Sequence, residues 1–310
     1  MNQIVKQKLI YLLKAFIGAA LVTWILLQID RQKFIEYFIQ LNFGVVLLVS
    51  LLSILSLSIQ FSRWKYLLLK NSNDLNNREL LPSFFAGFSF RLMLPGGHAE
   101  ISKIFLLSGK KRGKALAFGM EKFFQTFLKL FLILAVLPLS FPKYKIYCIV
   151  LLLALIIACI YIPRIPFIKD IQEKNVNNYV LFANTTFFSL AIFVLMAIQY
   201  YILLNQIYSI SLLATLHTVI YLWGAGIIPI SISGLGIREG LAVYFLKLYG
   251  ITPAHAVATS LFLFTINTIS PALIGIYFIY KKKSYFHDLK SSIRSSRDLI
   301  RNLRNGKQFK

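Results

Sequence analysis

Hydrophobic positions in this chain neither alternate nor recur on a single helical face; they run together. Apolar stretches cover Leu9–Ile29, Phe43–Phe61, Ala115–Leu139, Lys145–Ile162, Tyr179–Leu204 and Ala254–Tyr280. Each reaches the length of about 18 residues or more from which a bilayer-crossing helix is read. The first follows Lys6 and Lys8 but is too long for a signal-peptide core and lacks a clear small-residue cleavage site, so it reads as a retained helix. Two other apolar stretches are interrupted. Leu80–Ser108 breaks at Pro95-Gly96-Gly97-His98-Ala99-Glu100, and Ser211–Tyr249 breaks between Pro229 and Gly240. Pro and Gly at that density stop a helix. Broken backbone inside a bilayer is tolerated where protein or a watery cavity surrounds it. The pattern therefore predicts an all-α polytopic membrane protein with six full spans and two re-entrant or broken helical hairpins.

The two broken segments match each other. Glu100 and Glu239 stand at an offset of 139, as do Phe105 and Tyr244, Leu107 and Leu246, Ala115 and Ala254, and Ala117 and Ala256. Each half reads span, span, broken hairpin, span, over about 9–139 and 145–280. Three crossings per half make the halves opposite in orientation, an inverted repeat of the kind that builds alternating-access carriers. Residues 1–280 then form the membrane domain and 281–310 a basic tail, in which Phe286, Leu289, Ile293, Ile300 and Leu303 fall roughly on one face. Residues 31–41, with Phe34, Tyr37, Phe38 and Leu41 at helical spacing, read as a short interfacial helix.

Composition agrees with that picture and charge orients it. The 310 residues are 57% hydrophobic, and 34 Lys and Arg against 11 Asp and Glu give a net charge of +23. Twenty-four of the basic residues fall in the connections on one side of the predicted membrane and four, Arg31, Lys33, Lys143 and Lys145, on the other. By the positive-inside rule both termini are cytoplasmic, in a cell membrane. The same distribution argues against a nucleic-acid partner. Cys148 and Cys159 lie in one apolar run, about 16 Å apart along a helix, too far for a disulfide. No Cys/His cluster suggests a metal, and no cofactor is expected. The letters of Gly234-x-Gly236-x-x-Gly240 match a dinucleotide fingerprint, but no strand precedes them and no βαβ unit surrounds them. No catalytic constellation stands out, so the chain is not expected to be an enzyme.

The candidate chemistry sits at the two breaks. Arg91 and His98 flank the first, with Glu100 behind it, and Arg238 and Glu239 sit together in the second. Charge at membrane depth persists where it pairs or faces water. Two readings of these residues stand. In one, Arg91 and Arg238 cradle an anionic lipid group, with His98, Glu100 and Glu239 completing the head-group site and the glycines letting backbone N–H groups approach. In the other, Arg–Glu pairs only join the hairpins. Pro95, Gly96, Gly97, Pro229, Gly234 and Gly236 set the breaks, and Glu121 and Lys122 on the third confident span are further cavity candidates. Lys122 and Lys129 also read as packing or snorkelling residues. Asn184, Gln199 and Asn267 read as polar links between spans. His217 and His255 have no evident partner.

The stretch from Pro229 through Gly234-Leu235-Gly236-Ile237-Arg238-Glu239 to Gly240, followed by Gly250 and Ala254–Ala258, resembles the lysylphosphatidylglycerol synthase transmembrane-domain family, also described as flippase-like. That family carries a Pro and then Gly-x-Gly-x-Arg-Glu there. Its earlier Leu-Pro-x-x-x-Gly-Glu looks like Leu94 to Glu100, with Ala99 at the glycine position, and its later Glu-Arg corresponds to Glu121-Lys122. The resemblance runs from about residue 9 to 280. It implies a protein that moves, or helps to move, a lipid between leaflets: a phospholipid, an aminoacyl-phospholipid or a polyprenyl-phosphate-linked sugar. With the chain stopping at Lys310, it implies a stand-alone member without the synthase domain. The absence of a P-loop implies that transport is energised without ATP. Membrane lipids are the expected partners. The alternative reading is a non-transporting membrane partner of a lipid-modifying enzyme or glycosyltransferase.

Overall fold

A computed structural model describes residues 16, 20–93, 99–161, 176–227 and 232–281, and no strand occurs among them. Helix α1 covers 20–28, followed by α2 (Arg31–Gln40), α3 (Phe43–Asn71) and α4 (Asn77–Met93). A 3₁₀ segment, Ala99–Leu106, leads to α5 (Arg112–Ser140), α6 (Lys145–Tyr161), α7 (Asn178–Leu204) and α8 (Leu212–Gly224). After short turns at Ala225–Ile227 and Ile232–Gly234 come α9 (Ile237–Lys247), α10 (Pro253–Phe264), a π turn (Thr265–Ile269) and α11 (Ser270–Lys281). Side-chain caps explain several starts. Asp30, Asn42, Asn177, Ser211 and Thr252 each accept backbone N–H groups from the first turn that follows, and Pro253 takes the first helical position.

Among the described residues, four helices are long and apolar enough to cross a membrane: Phe43–Asn71, Arg112–Ser140, Asn178–Leu204 and the continuous Pro253–Lys281. They coincide with four of the six expected runs. The fifth, Lys145–Ile162, is the 17-residue α6. Most of the first, and the whole basic tail after Lys281, lie outside the described residues.

Uniform hydropathy along α3 conceals a clear sidedness. Phe43, Leu47, Leu51, Ile54 and Leu55 are exposed, whereas Val49, Ser53, Ser56, Arg63 and Trp64 are buried. Lipid is as apolar as leucine, so small and polar groups, which pack closely or hydrogen-bond, decide which face turns inward. Ser53, Asn267, Gln199 and the Val49 carbonyl form one such chain: Ser53 Oγ donates to Asn267 Oδ1 (2.7 Å), Asn267 Nδ2 to Gln199 Oε1 (2.9 Å) and Gln199 Nε2 to Val49 O (3.1 Å). Asn184 Nδ2 donates to Tyr66 OH at 2.9 Å.

The interrupted segments pack reciprocally. The first arm of the earlier one, α4, lies along α11, and the first arm of the later one, α8, lies along α5. Each second arm, Ala99–Leu106 and α9, packs against the span that follows it, α5 and α10 respectively. The expected span at Ala254–Tyr280 carries a π turn at its centre, which includes Asn267 of the polar link. Such turns inside α-helices are frequent at functional sites.

Candidate functional site

At the second break the chain turns through left-handed backbone: Ser233 has φ 55°, Gly234 77° and Gly236 85°. Glycine is at ease there; serine is not. Ser233→Gly should therefore raise stability by about 1 kcal/mol, read from thermal unfolding in detergent. Glu239, fully buried, accepts the Gly236 N–H at 2.6 Å and so caps α9. Its other oxygen accepts from Ser260 Oγ (2.9 Å) and from Arg238, whose Nε also reaches Ser260 Oγ at 2.9 Å. The Arg238 guanidinium lies 4.5 Å from the Phe264 ring centroid. One cation and one carboxylate thus neutralise each other and pin the break to α10.

The first break differs. Lys103 Nζ, on the 3₁₀ arm, donates to Glu100 Oε1 (3.2 Å) and Glu121 Oε2 (2.7 Å) and stands 3.9 Å from the Trp64 ring centroid. Winding at three residues per turn stacks positions i and i+3, which sets Lys103 over Glu100. Arg63 of α3 donates to Glu121 Oε1 at 3.0 Å and to Ser189 Oγ of α7 at 2.9 Å. Lys122 Nζ reaches Glu100 Oε2 at 2.5 Å. A cavity of about 30 Å³ opens among Arg63, Arg91, Glu100, Glu121, Lys122 and Gln125. Arg91 faces it with no carboxylate partner among the described residues; its Nη2 meets Thr268 Oγ1 at 3.4 Å and its buried Nε has no hydrogen-bond partner. Four cations, Arg63, Arg91, Lys103 and Lys122, therefore surround two carboxylates.

Two expectations need adjustment. Glu100 pairs with Lys103 and Lys122, not with Arg91. The two arginines have different partners on the same kinked span: Arg238 is held at Ser260 of α10, and Arg91 meets Thr268 in the π turn. Glu121 and Lys122 both line the cavity. Gly234 and Gly236 sit in the second break, whereas Pro95, Gly96, Gly97, His98 and Pro229 lie outside the described residues. Sequence alone does not place Arg63 and Lys103 in the site, because each begins a basic stretch and reads as part of a connection.

The transmembrane region of lysylphosphatidylglycerol synthase, as a family, matches residues 11–275. The chain belongs to this family. No curated protein matches it. Membership agrees with the resemblance carried by the Gly234–Glu239 motif, and it makes the chain a multi-pass membrane protein with a lipid-related role. On the family's second motif, the glycines shape the turn, the glutamate caps the helix that follows and the arginine locks that glutamate to α10.

Proposed function

We propose that this member of the family is a carrier that moves an anionic lipid between leaflets, binding its phosphate at the cavity of Arg91 and Lys122. The single observation behind this reading is the surplus of cations over carboxylates around one cavity inside the span bundle. An isolated ammonium or guanidinium is costly at that depth, and a phosphate is the natural counter-charge for a forked arginine beside a lysine. The family's membership in lipid chemistry supports the same choice. Six spans and two broken hairpins in inverted halves, 9–139 and 145–280, would supply the alternating geometry, and the reciprocal packing of α4 on α11 and α8 on α5 supports that repeat. Both termini face the cytoplasm in this arrangement.

A cavity of about 30 Å³ holds one water, so the head group enters as Ala99–Leu106 parts from α5. Lys122 is the mobile element in this step. Its pair with Glu100 is partly exposed, whereas Arg63, Lys103 and Glu121 are sealed among themselves. Lys122 exchanges Glu100 for phosphate on binding and returns to it on release. Arg238 and Glu239 keep the opposite break rigid.

Scrambling of fluorescent phosphatidylglycerol in proteoliposomes tests the assignment. Arg91→Gln with Lys122→Met removes two charge-assisted contacts, and the rate should fall about tenfold to a hundredfold. An unchanged rate in a folded double variant, judged by size-exclusion profile and thermal unfolding, overturns it.

A further inference from the structure

Polar groups line α5 at its middle and at its C-terminal end, charged in the first place and uncharged in the second. Lys122 and Gln125 face the charged cavity, and Lys129 stands 5.1 Å from the Trp223 ring centroid. One turn on, Ile133 is seated against Gly224 so closely that a Cβ there would overlap Ile133 Cδ1. Beyond this contact the same helix ends at Leu139 and Ser140, on the wall of a second cavity of about 600 Å³ between the start of α8 and the end of α9. Ser140 lies eleven residues past Lys129, about 16 Å along the helix.

None of the residues lining this second cavity carries a formal charge at neutral pH. Its polar wall is a hydrogen-bonded chain. His217 Nε2 is 2.7 Å from Ser140 Oγ, Tyr221 OH is 2.9 Å from the same oxygen, and Tyr249 OH is 2.9 Å from His217 Nδ1. Aromatic faces back the chain: Tyr221 and Phe245 stack with centroids 4.0 Å apart, and His217 meets Tyr221, Phe245 and Tyr249 edge-on. The rim is apolar and open, with Leu139 77%, Leu213 78% and Leu248 63% exposed. His217, which looked partnerless in the sequence, is the centre of this wall.

We propose that this cavity is a binding site for an amphiphile with an uncharged, hydroxyl-bearing head group, a glycerol or glycosyl unit. A phosphate or ammonium would be desolvated there without a counter-charge. Hydroxyl groups match it, because the serine, histidine and tyrosine groups each offer a donor or an acceptor and hydroxyls can rotate to suit either. Rim leucines exposed at the end of a membrane helix bundle suit acyl chains, and the volume falls in the range of small-ligand sites. The Ile133–Gly224 contact separates this site from the charged cavity, so the proposal does not rest on the carrier reading.

The test is native mass spectrometry of the full chain from phosphatidylcholine nanodiscs containing monoglucosyl-diacylglycerol, diacylglycerol or phosphatidic acid. The wild-type protein should retain the glucosyl lipid. Leu213→Trp, which blocks the mouth from an exposed position, should abolish retention, and His217→Phe should lower it about tenfold through lost hydrogen bonds. Equal retention of diacylglycerol assigns the glycerol hydroxyl as the recognised group; retention of the glucosyl lipid alone assigns the sugar. Either supports the site. Undiminished retention in both variants, no retention by the wild type, or displacement by phosphatidic acid overturns it. Arg91→Gln with Lys122→Met should lower retention of phosphatidic acid alone. If it does not, the charged-cavity reading fails while this one stands.

Discussion

Glu121→Gln should destabilise the protein by about 3–5 kcal/mol, the cost of leaving buried charge without its partner. Glu121 is 3% exposed and touches Arg63 and Lys103, themselves 3% and 1% exposed. It stands nine residues into α5 from Arg112, about 14 Å along the helix. An amide there keeps the shape but removes the negative charge that balances an arginine from α3 and a lysine from the 3₁₀ arm. Three elements then lose their common link. Thermal unfolding in detergent reads the loss, with Glu36→Gln on the exposed face of α2 as the control. Adding Arg63→Met should recover part of it, since contacting residues do not contribute additively. A Glu121→Gln melting curve indistinguishable from that of Glu36→Gln would show that the cluster does not hold Ala99–Leu106 onto α5.

Much of the architecture was legible because spans announce themselves by length. Four of the expected runs coincide with the four long helices among the described residues. Which face of each helix turns inward was not legible, since α3 is apolar almost all round and its orientation depends on Ser53, Ser56 and Arg63. The 3₁₀ winding of Ala99–Leu106 was hidden too, because hydrophobic spacing over eight residues does not distinguish it from an α-helix.

The candidate site was half visible. Arg91, Glu100, Glu121 and Lys122 could be picked out as charges in apolar surroundings, and they meet at one cavity. Arg63 and Lys103 were concealed by position: each opens a run of basic residues, so each reads as part of a connection. A signal existed nonetheless. Acidic residues number only 11 in the chain, and Glu100 and Glu121 stand in apolar stretches that require cationic partners. Lys103, three residues from Glu100, was the first place to look. The partners of His217 and His255 lie far along the chain. Tyr249 and Ser140 serve the first, and Tyr208, 2.7 Å from Nδ1, serves the second. Sequence spacing carries no trace of such pairs.

Gly275→Val should prevent α4 from docking on α11 and abolish the folded state. A Cβ at Gly275 would overlap the Phe85 backbone, which cannot rotate away, and the Ser89 hydroxyl. Ser89 is itself fixed, donating to Ala272 O at 2.6 Å, and Phe85 stacks on Phe278 with ring centroids 6.2 Å apart. The crossing is thus built on direct backbone approach, the role that small residues play between membrane helices. Forcing the helices apart would open the cluster of Ala86, Phe90, Leu106 and Ile279 and carry Arg91 away from Thr268. Gly119 is the matched comparison: it lies within α5 and a Cβ there meets nothing within 4 Å. Gly119→Ala should be neutral or stabilising by up to about 1 kcal/mol through helix propensity alone. The measurement is the monodisperse yield and melting temperature of the two variants side by side. If Gly275→Val is recovered folded at the level of Gly119→Ala, the α4–α11 contact is not the close approach described. The anchoring of α4 to α11, on which the proposed carrier geometry depends, would fall with it.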